Sequence, residues 1–236
     1  MITIIDYGVG NLFSLSSSLS YLGLENKVSR DPEDLRKADH IILPGVGAYG
    51  DAIAKLRGSG MAEPLLDEAK AGKPILGICL GMQIAVIEYA RDVAGIKDAH
   101  SGEFDELCKN KVIDFMPGQS DNIDKGGTLR LGAYPCVIKP GTTMERCYGK
   151  SEISERHRHR YEFNNDFQKE FERNGMQCVG RNPESDLVEI VEIPGLKWYI
   201  GTQFHPEYQS TVLHPHPLFV DFVKTAIENK VAAEKK

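Results

Sequence analysis

Gly77-Ile78-Cys79-Leu80-Gly81 decides the fold. The apolar run Lys73-Pro74-Ile75-Leu76 leads into it, and Met82-Gln83-Ile84-Ala85-Val86-Ile87 leads out of it. A strand, a sharp turn with glycines two residues either side of a nucleophile, and a helix make a nucleophile elbow. Glycine is needed there because a bulky side chain in so tight a turn collides with neighbouring backbone. The helix aims free N–H groups and the positive end of its dipole at the turn, which favours negative charge. Far downstream, Phe204-His205-Pro206-Glu207 follows a second apolar run, Trp198-Tyr199-Ile200-Gly201-Thr202-Gln203. Cys79, His205 and Glu207, in that order, read as a nucleophile, its base and the carboxylate that orients the base.

Around the elbow, strands and helices alternate. Ile2 to Tyr7 is expected to be a buried strand, and Leu12 to Leu22 an amphipathic helix stopped by Gly23. Lys27 to Arg30 reads as a short strand, and Asp31-Pro32-Glu33-Asp34 as a helix start. Ile41-Ile42-Leu43 is a strand ending in Pro44-Gly45-Val46-Gly47, followed by helices near Asp51–Arg57 and Ala62–Ala71. This pattern predicts an α/β fold with a mostly parallel central sheet and flanking helices. Ligands in such sheets sit beyond the carboxyl ends of the strands, where both Pro44–Gly47 and Cys79 lie.

The second half predicts antiparallel additions. Val112 to Phe115 is a short strand. Gly126-Gly127 and Gly132-Ala133-Tyr134 punctuate an expected hairpin running to Ile138. Leu187 to Ile193 alternates like a half-buried strand, with its glutamates outward. Pro217 to Glu228 is a closing helix, and Lys230 to Lys236 an expected frayed tail. No repeat or linker divides the chain, so residues 1–236 are expected to form one domain.

Composition narrows the function. The 236 residues are 41% hydrophobic and 26% charged, as in an ordinary globule able to bury a core. A formal net charge of -6 speaks against nucleic-acid binding, which needs a basic face. No apolar run approaches the roughly 20 residues of a membrane span. The first residues are too short and lack the basic lead of a signal peptide. Five cysteines with no CxxC pair fit reduced thiols in a cytoplasmic protein, with no disulfide framework and no metal site. No cofactor is expected.

At these motifs the chain resembles the class I, or triad, glutamine amidotransferases, a flavodoxin-like α/β fold. Residues 1–83 resemble the glutaminase subunit of imidazole glycerol phosphate synthase, through Ile5 to Leu12, Leu43 to Ala52 and Leu76 to Gln83. Residues from about 77 to 225 resemble the glutaminase domain of CTP synthase. That match rests on Ala85 to Arg91, Lys125 to Cys136, Glu155 to Asn165 and His214 to Phe219. Two family patterns meeting at the elbow point to an engineered chimera joined near Gly77–Gln83, with a divergent natural protein as the alternative.

The resemblance implies a glutaminase that releases ammonia from L-glutamine. It places the oxyanion donors at Leu80, Val46 and Gly47, and the glutamine pocket at Gly45, Gln83, Glu103, Arg160 and Tyr161. Arg160 would pair the α-carboxylate and Glu103 the α-ammonium. Gly102 departs from the family run, where threonine is usual. The ammonia would serve a synthase partner, either a barrel cyclase or an amidoligase domain. Asn11 and Ser14 match the cyclase contact region, and Gly126–Gly132 matches a GTP-responsive lid.

Other readings stand beside these. A chimeric or inactive chain would bind glutamine or a partner without turnover. A protease-like cysteine hydrolase of the same fold would need no Glu103–Arg160 pair. The Arg156–Arg160 run can also be read as a solvated basic face. His157 and His159 read as structural residues, His214 and His216 as loop residues, and the other four cysteines as packing residues.

Overall fold

The computed structural model describes residues 1–45, 49–115, 130–211 and 213–234. Its strands and helices follow in chain order: β1 (Ile2–Ile5), α1 (Leu12–Tyr21), β2 (Asn26–Ser29), α2 (Pro32–Lys37), β3 (His40–Leu43), α3 (Tyr49–Gly58), α4 (Ala62–Lys70), β4 (Ile75–Ile78) and α5 (Leu80–Asp92). Then come β5 (His100–Ser101), β6 (Lys111–Phe115), β7 (Arg130–Ile138), α6 (Thr143–Tyr148), β8 (Glu152–His159), β9 (Tyr161–Phe163), α7 (Gln168–Arg173), β10 (Gln177–Arg181), β11 (Val188–Glu192), β12 (Tyr199–Thr202) and α8 (Pro217–Glu234).

Nine strands form the main sheet in the order β2-β1-β3-β4-β12-β11-β10-β7-β8. The five from β2 to β12 are parallel, and the remainder are antiparallel. A smaller sheet, β5-β6-β9, lies beside it. The α/β class and the antiparallel additions are as expected.

The parallel strands are apolar without interruption because both faces are covered. Ile5, Ile41 and Leu43 pack on one side with Leu56, Leu65 and Met82. Ile4, Ile42 and Leu76 pack on the other with Leu15, Leu19, Phe219 and Phe222. Neighbouring residues thus feed opposite cores, as the twofold repeat of a strand requires. Asp31 caps α2 by accepting from Glu33 N–H, with Pro32 at the first helical position.

Three expectations change. Residues 130–138 form one continuous strand through Gly132, paired with β8 along its length, so no turn occurs there. Gly126 and Gly127 lie outside the described residues. Strand β11 is buried on both faces: Glu189 is 0% and Glu192 4% exposed. Both carboxylates have buried partners, and Glu192 accepts from the N–H groups of Thr143 and Met144 at the start of α6. The last helix runs to Glu234, past the expected fray point.

Candidate active site

Strands β3, β4 and β12 are neighbours, so the loops leaving their carboxyl ends meet. Cys79 leaves β4 at φ 52°, ψ −109°, a conformation rare outside glycine, and serves as the N-cap of α5. Its N–H donates to Thr202 O of β12 at 2.7 Å. The elbow closes tightly against the β3 loop. A Cβ on Gly81 would stand 2.1 Å from Leu43 O, and one on Gly45 would stand 2.6 Å from Gly81 N. These contacts demand glycine at both positions.

Beyond β12, His205 is fully buried and its N–H donates to Arg156 O at 2.9 Å. Its Nδ1 lies 2.7 Å from Glu207 Oε1. Burial works against charge on this ring, but hydrogen bonding and charge from Cys79 and Glu207 outweigh it, and the imidazole is raised to about 10. The other ring nitrogen, Nε2, is buried and has no aligned hydrogen-bond partner among the described residues. The three predicted triad residues therefore share one buried corner.

Gln203 was not anticipated. Its Nε2 donates toward Cys79 Sγ at 3.7 Å, and its Oε1 accepts from Gln83 Nε2 at 3.1 Å. Gln83 Nε2 also donates to Tyr161 O at 2.8 Å. Gln203 leaves β12 directly, two positions before His205, in the bend that carries the chain off the strand. That spacing is the signal the sequence offered.

A polar cleft of about 690 Å³ opens over the thiol. Its walls include Cys79, Leu80, Gln83, Glu103, Arg160 and Tyr161, with Asn11 and Tyr208 at the rim. Leu80 is the first residue of α5, so its N–H has no intrahelical acceptor and is available to an oxyanion. Arg160 has no ion-pair partner among the described residues, its Nε is buried without a hydrogen bond, and its guanidinium stands 5.6 Å from the Phe115 ring. An anionic group entering the cleft meets this cation. Gly45 lies against Leu80 behind the elbow. Val46 and Gly47, expected as oxyanion donors, lie outside the described residues, as does most of the expected lid. At Gly102, a Cβ would approach Asp114 Oδ1 to 2.5 Å, so the departure from threonine keeps room for that carboxylate.

The other singled-out residues have structural partners. The Arg156–Arg160 run is not a solvated face throughout, because His157 and His159 point inward on β8 while Arg156 and Arg158 point outward. His216 lies in the loop before α8 and is buried there, 3.0 Å from Glu155 Oε1. Cys147 donates to Asp221. A second cleft of about 240 Å³ lies among α3, α4 and α5, lined by apolar residues such as Leu56, Leu65 and Ile84. Its lining contains no cysteine or histidine. No helix among the described residues is long and apolar enough to cross a membrane.

Known proteins resemble this chain in sequence and fold. A CTP synthase of Bacteroides fragilis is 57% identical over 188 residues, covering 80% of this chain and 34% of that protein. One from Bacteroides thetaiotaomicron is 63% identical over 157 residues, covering 66% and 29% respectively. The chain thus spans about a third of the length of these curated relatives. The solved structure "Trypanosoma brucei CTPS - glutaminase domain with bound acivicin" superposes with a TM-score of 0.77 at 26% identity, covering 96% of this chain and 93% of that one. An alignment of 188 residues is longer than the stretch from 77 to 236, so the CTP synthase likeness crosses the elbow into the first half. The expected division at residues 83–84, with its chimeric join, finds no support in these relatives. The profile of the family "Glutamine amidotransferase class-I" matches residues 3–225. Because that match runs unbroken through both the elbow and the His205 segment, the chain belongs to the class-I glutamine amidotransferases.

Proposed function

We propose that the chain is a glutaminase of the CTP synthase type, hydrolysing L-glutamine to glutamate and ammonia. The observation that carries this reading is the buried His205–Glu207 pair at 2.7 Å beside a thiol on a strained elbow. Cys79 sulfur attacks the side-chain amide carbon, and the developing oxyanion takes the Leu80 N–H. Val46 and Gly47 complete the oxyanion site in this proposal. The His205 imidazolium, steadied by Glu207, gives its proton to the departing amine, which leaves as ammonia. Water then attacks the thioester, returning a proton to His205 and releasing glutamate.

Arg160 holds the α-carboxylate and Glu103 the α-ammonium, with Gln83 and Tyr161 shaping the wall between them. The whole of residues 1–236 acts as one domain. The ammonia acceptor is an amidoligase domain of the CTP synthase kind, and the length of the relatives favours it over a barrel cyclase. The cytoplasm is the setting of such a reaction.

A glutamate-release assay on the unaltered chain and on Cys79→Ala tests the reading. Turnover in the first and none in the second is expected, with a diazo-ketone glutamine analogue labelling Cys79 alone. Unlabelled Cys79 in a folded chain would overturn it. Binding without turnover is the second reading. It is favoured by the lack of an aligned partner at His205 Nε2, and an unaltered chain that binds glutamine but releases no glutamate would select it.

A further inference from the structure

Arg160 is the single residue between β8, in the main sheet, and β9, in the small sheet. The side chains on either side of this junction belong to a closed, buried ring of five charged or titratable groups. Arg130 Nη1 lies 2.5 Å from Glu189 Oε1 and 3.3 Å from Glu162 Oε1. Glu162 Oε1 lies 3.3 Å from His159 Nδ1. His159 Nε2 lies 2.8 Å from His157 Nδ1, and His157 Nε2 lies 3.4 Å from Glu189 Oε2, which closes the circuit. Tyr134 covers the Arg130 guanidinium at 4.4 Å, and Phe204 packs edge-on to His157 with ring centres 5.9 Å apart.

Charge and tautomer arguments give this ring the same proton count. Two carboxylates and one guanidinium leave one negative charge in excess, which is costly away from water. Two neutral histidines hydrogen-bonded to each other present one N–H at one end of the pair and one lone pair at the other. The N–H end suits a carboxylate, and the lone-pair end suits a carboxylic acid. One retained proton therefore satisfies both ends and neutralises the ring. The environment acts in that direction. Burial raises both Glu162 and Glu189, the latter to about 7, and holds His159 down at about 3.

We propose that this neutral, one-proton ring is a positioning device that fixes the β8–β9 bend so that Arg160 and Tyr161 face glutamine. It rests on the glutaminase reading above. The bend is held from the other side by Gln83 donating to Tyr161 O at 2.8 Å. Release of the ring removes the side-chain link across the bend and leaves only that bond and the strand pairings to β7 and β6, so the α-carboxylate site loses its aim, while Cys79 and His205 keep their backbone bonds to Thr202 and Arg156.

The test is steady-state glutamine hydrolysis by Arg130→Met, Glu162→Gln and Glu162→Leu, with folding checked by circular dichroism. Glu162→Gln keeps a neutral group that donates and accepts, so KM should stay within about threefold. Arg130→Met and Glu162→Leu should each raise KM at least tenfold with kcat changed less than threefold. Should Arg130→Met fail to fold, the glutamine–leucine pair at position 162 carries the same contrast. Folded variants with unchanged KM, or equal losses in kcat and KM for glutamine and leucine alike, overturn the positioning role while leaving the glutaminase reading intact. An unaltered chain that does not turn over glutamine overturns that reading and this role with it.

Discussion

The side-chain amide of Gln203 stands 3.7 Å from the Cys79 sulfur, with its N–H groups as donors. A hydrogen bond to a charged group is worth about 1.5–3 kcal/mol. Gln203→Leu removes this donor from the attacking sulfur and also strips Gln83 of an acceptor. Labelling of Cys79 by a glutamine-mimicking electrophile should slow by roughly 10-fold or more. An unchanged labelling rate in a folded variant would remove Gln203 from the chemistry.

In the proposed pocket Arg160 meets a substrate group that does not react, so ground and transition states should lose it alike. Arg160→Ala should raise KM for glutamine roughly 10- to 150-fold, the equivalent of about 1.5–3 kcal/mol, with kcat much less affected. A wild-type KM would mean that the α-carboxylate binds elsewhere.

The raised imidazole of His205 means that the folded chain holds this proton more tightly than the unfolded one. The stability gained is complete below about 6.5, the ordinary value, and is lost as pH climbs through about 10. The urea midpoint should therefore fall between pH 7 and pH 10. Glu207→Gln takes away the carboxylate partner and should make that fall shallower. Parallel declines in the two proteins would assign the loss to other groups.

Legibility followed the range of the interactions. The elbow, the capped start of α2 and the apolar parallel strands are set by neighbours in sequence, and all were readable. His205 and Glu207 were readable because two positions fix their pairing. The burial of Glu189, His157 and His159 was not, since it depends on Arg130, which alternation rules cannot bring to them. The same rules send Glu189 to solvent. Gly132 looked like a turn because glycine commonly marks one, yet eight cross-strand pairs keep its segment in β7, where its φ of 111° uses the glycine without turning the chain.

Gly81 approaches the backbone of β3, whereas Gly58 at the end of α3 has nothing within 4 Å of a hypothetical Cβ. Gly81→Ala must push two backbones apart and should cost about 1–3 kcal/mol or more. Gly58→Ala should stay within about 0.5 kcal/mol. Chemical denaturation of both variants checks the contrast, and equal midpoints would contradict the tight closure of the elbow.

Strand β12 lies between β4 and β11, so the central sheet needs both ends of the chain. A fragment ending near residue 95 leaves β4 as an unpaired apolar edge and should aggregate. The intact chain should unfold in one transition. A soluble, folded fragment 1–95, or two separate transitions in the whole chain, would show two independent units.

That same strand order sets a schedule during synthesis. Cys79 is joined to the growing chain 124 positions before Gln203, the side-chain donor to its sulfur. At about 5–20 residues per second, roughly 6–25 s pass between the two on the ribosome. Throughout that interval the nascent chain carries the thiol without its base, so hydrolysis cannot begin before the acceptor site for β12 has been filled. A ribosome-stalled chain ending before His205 is thus born inert toward cellular glutamine.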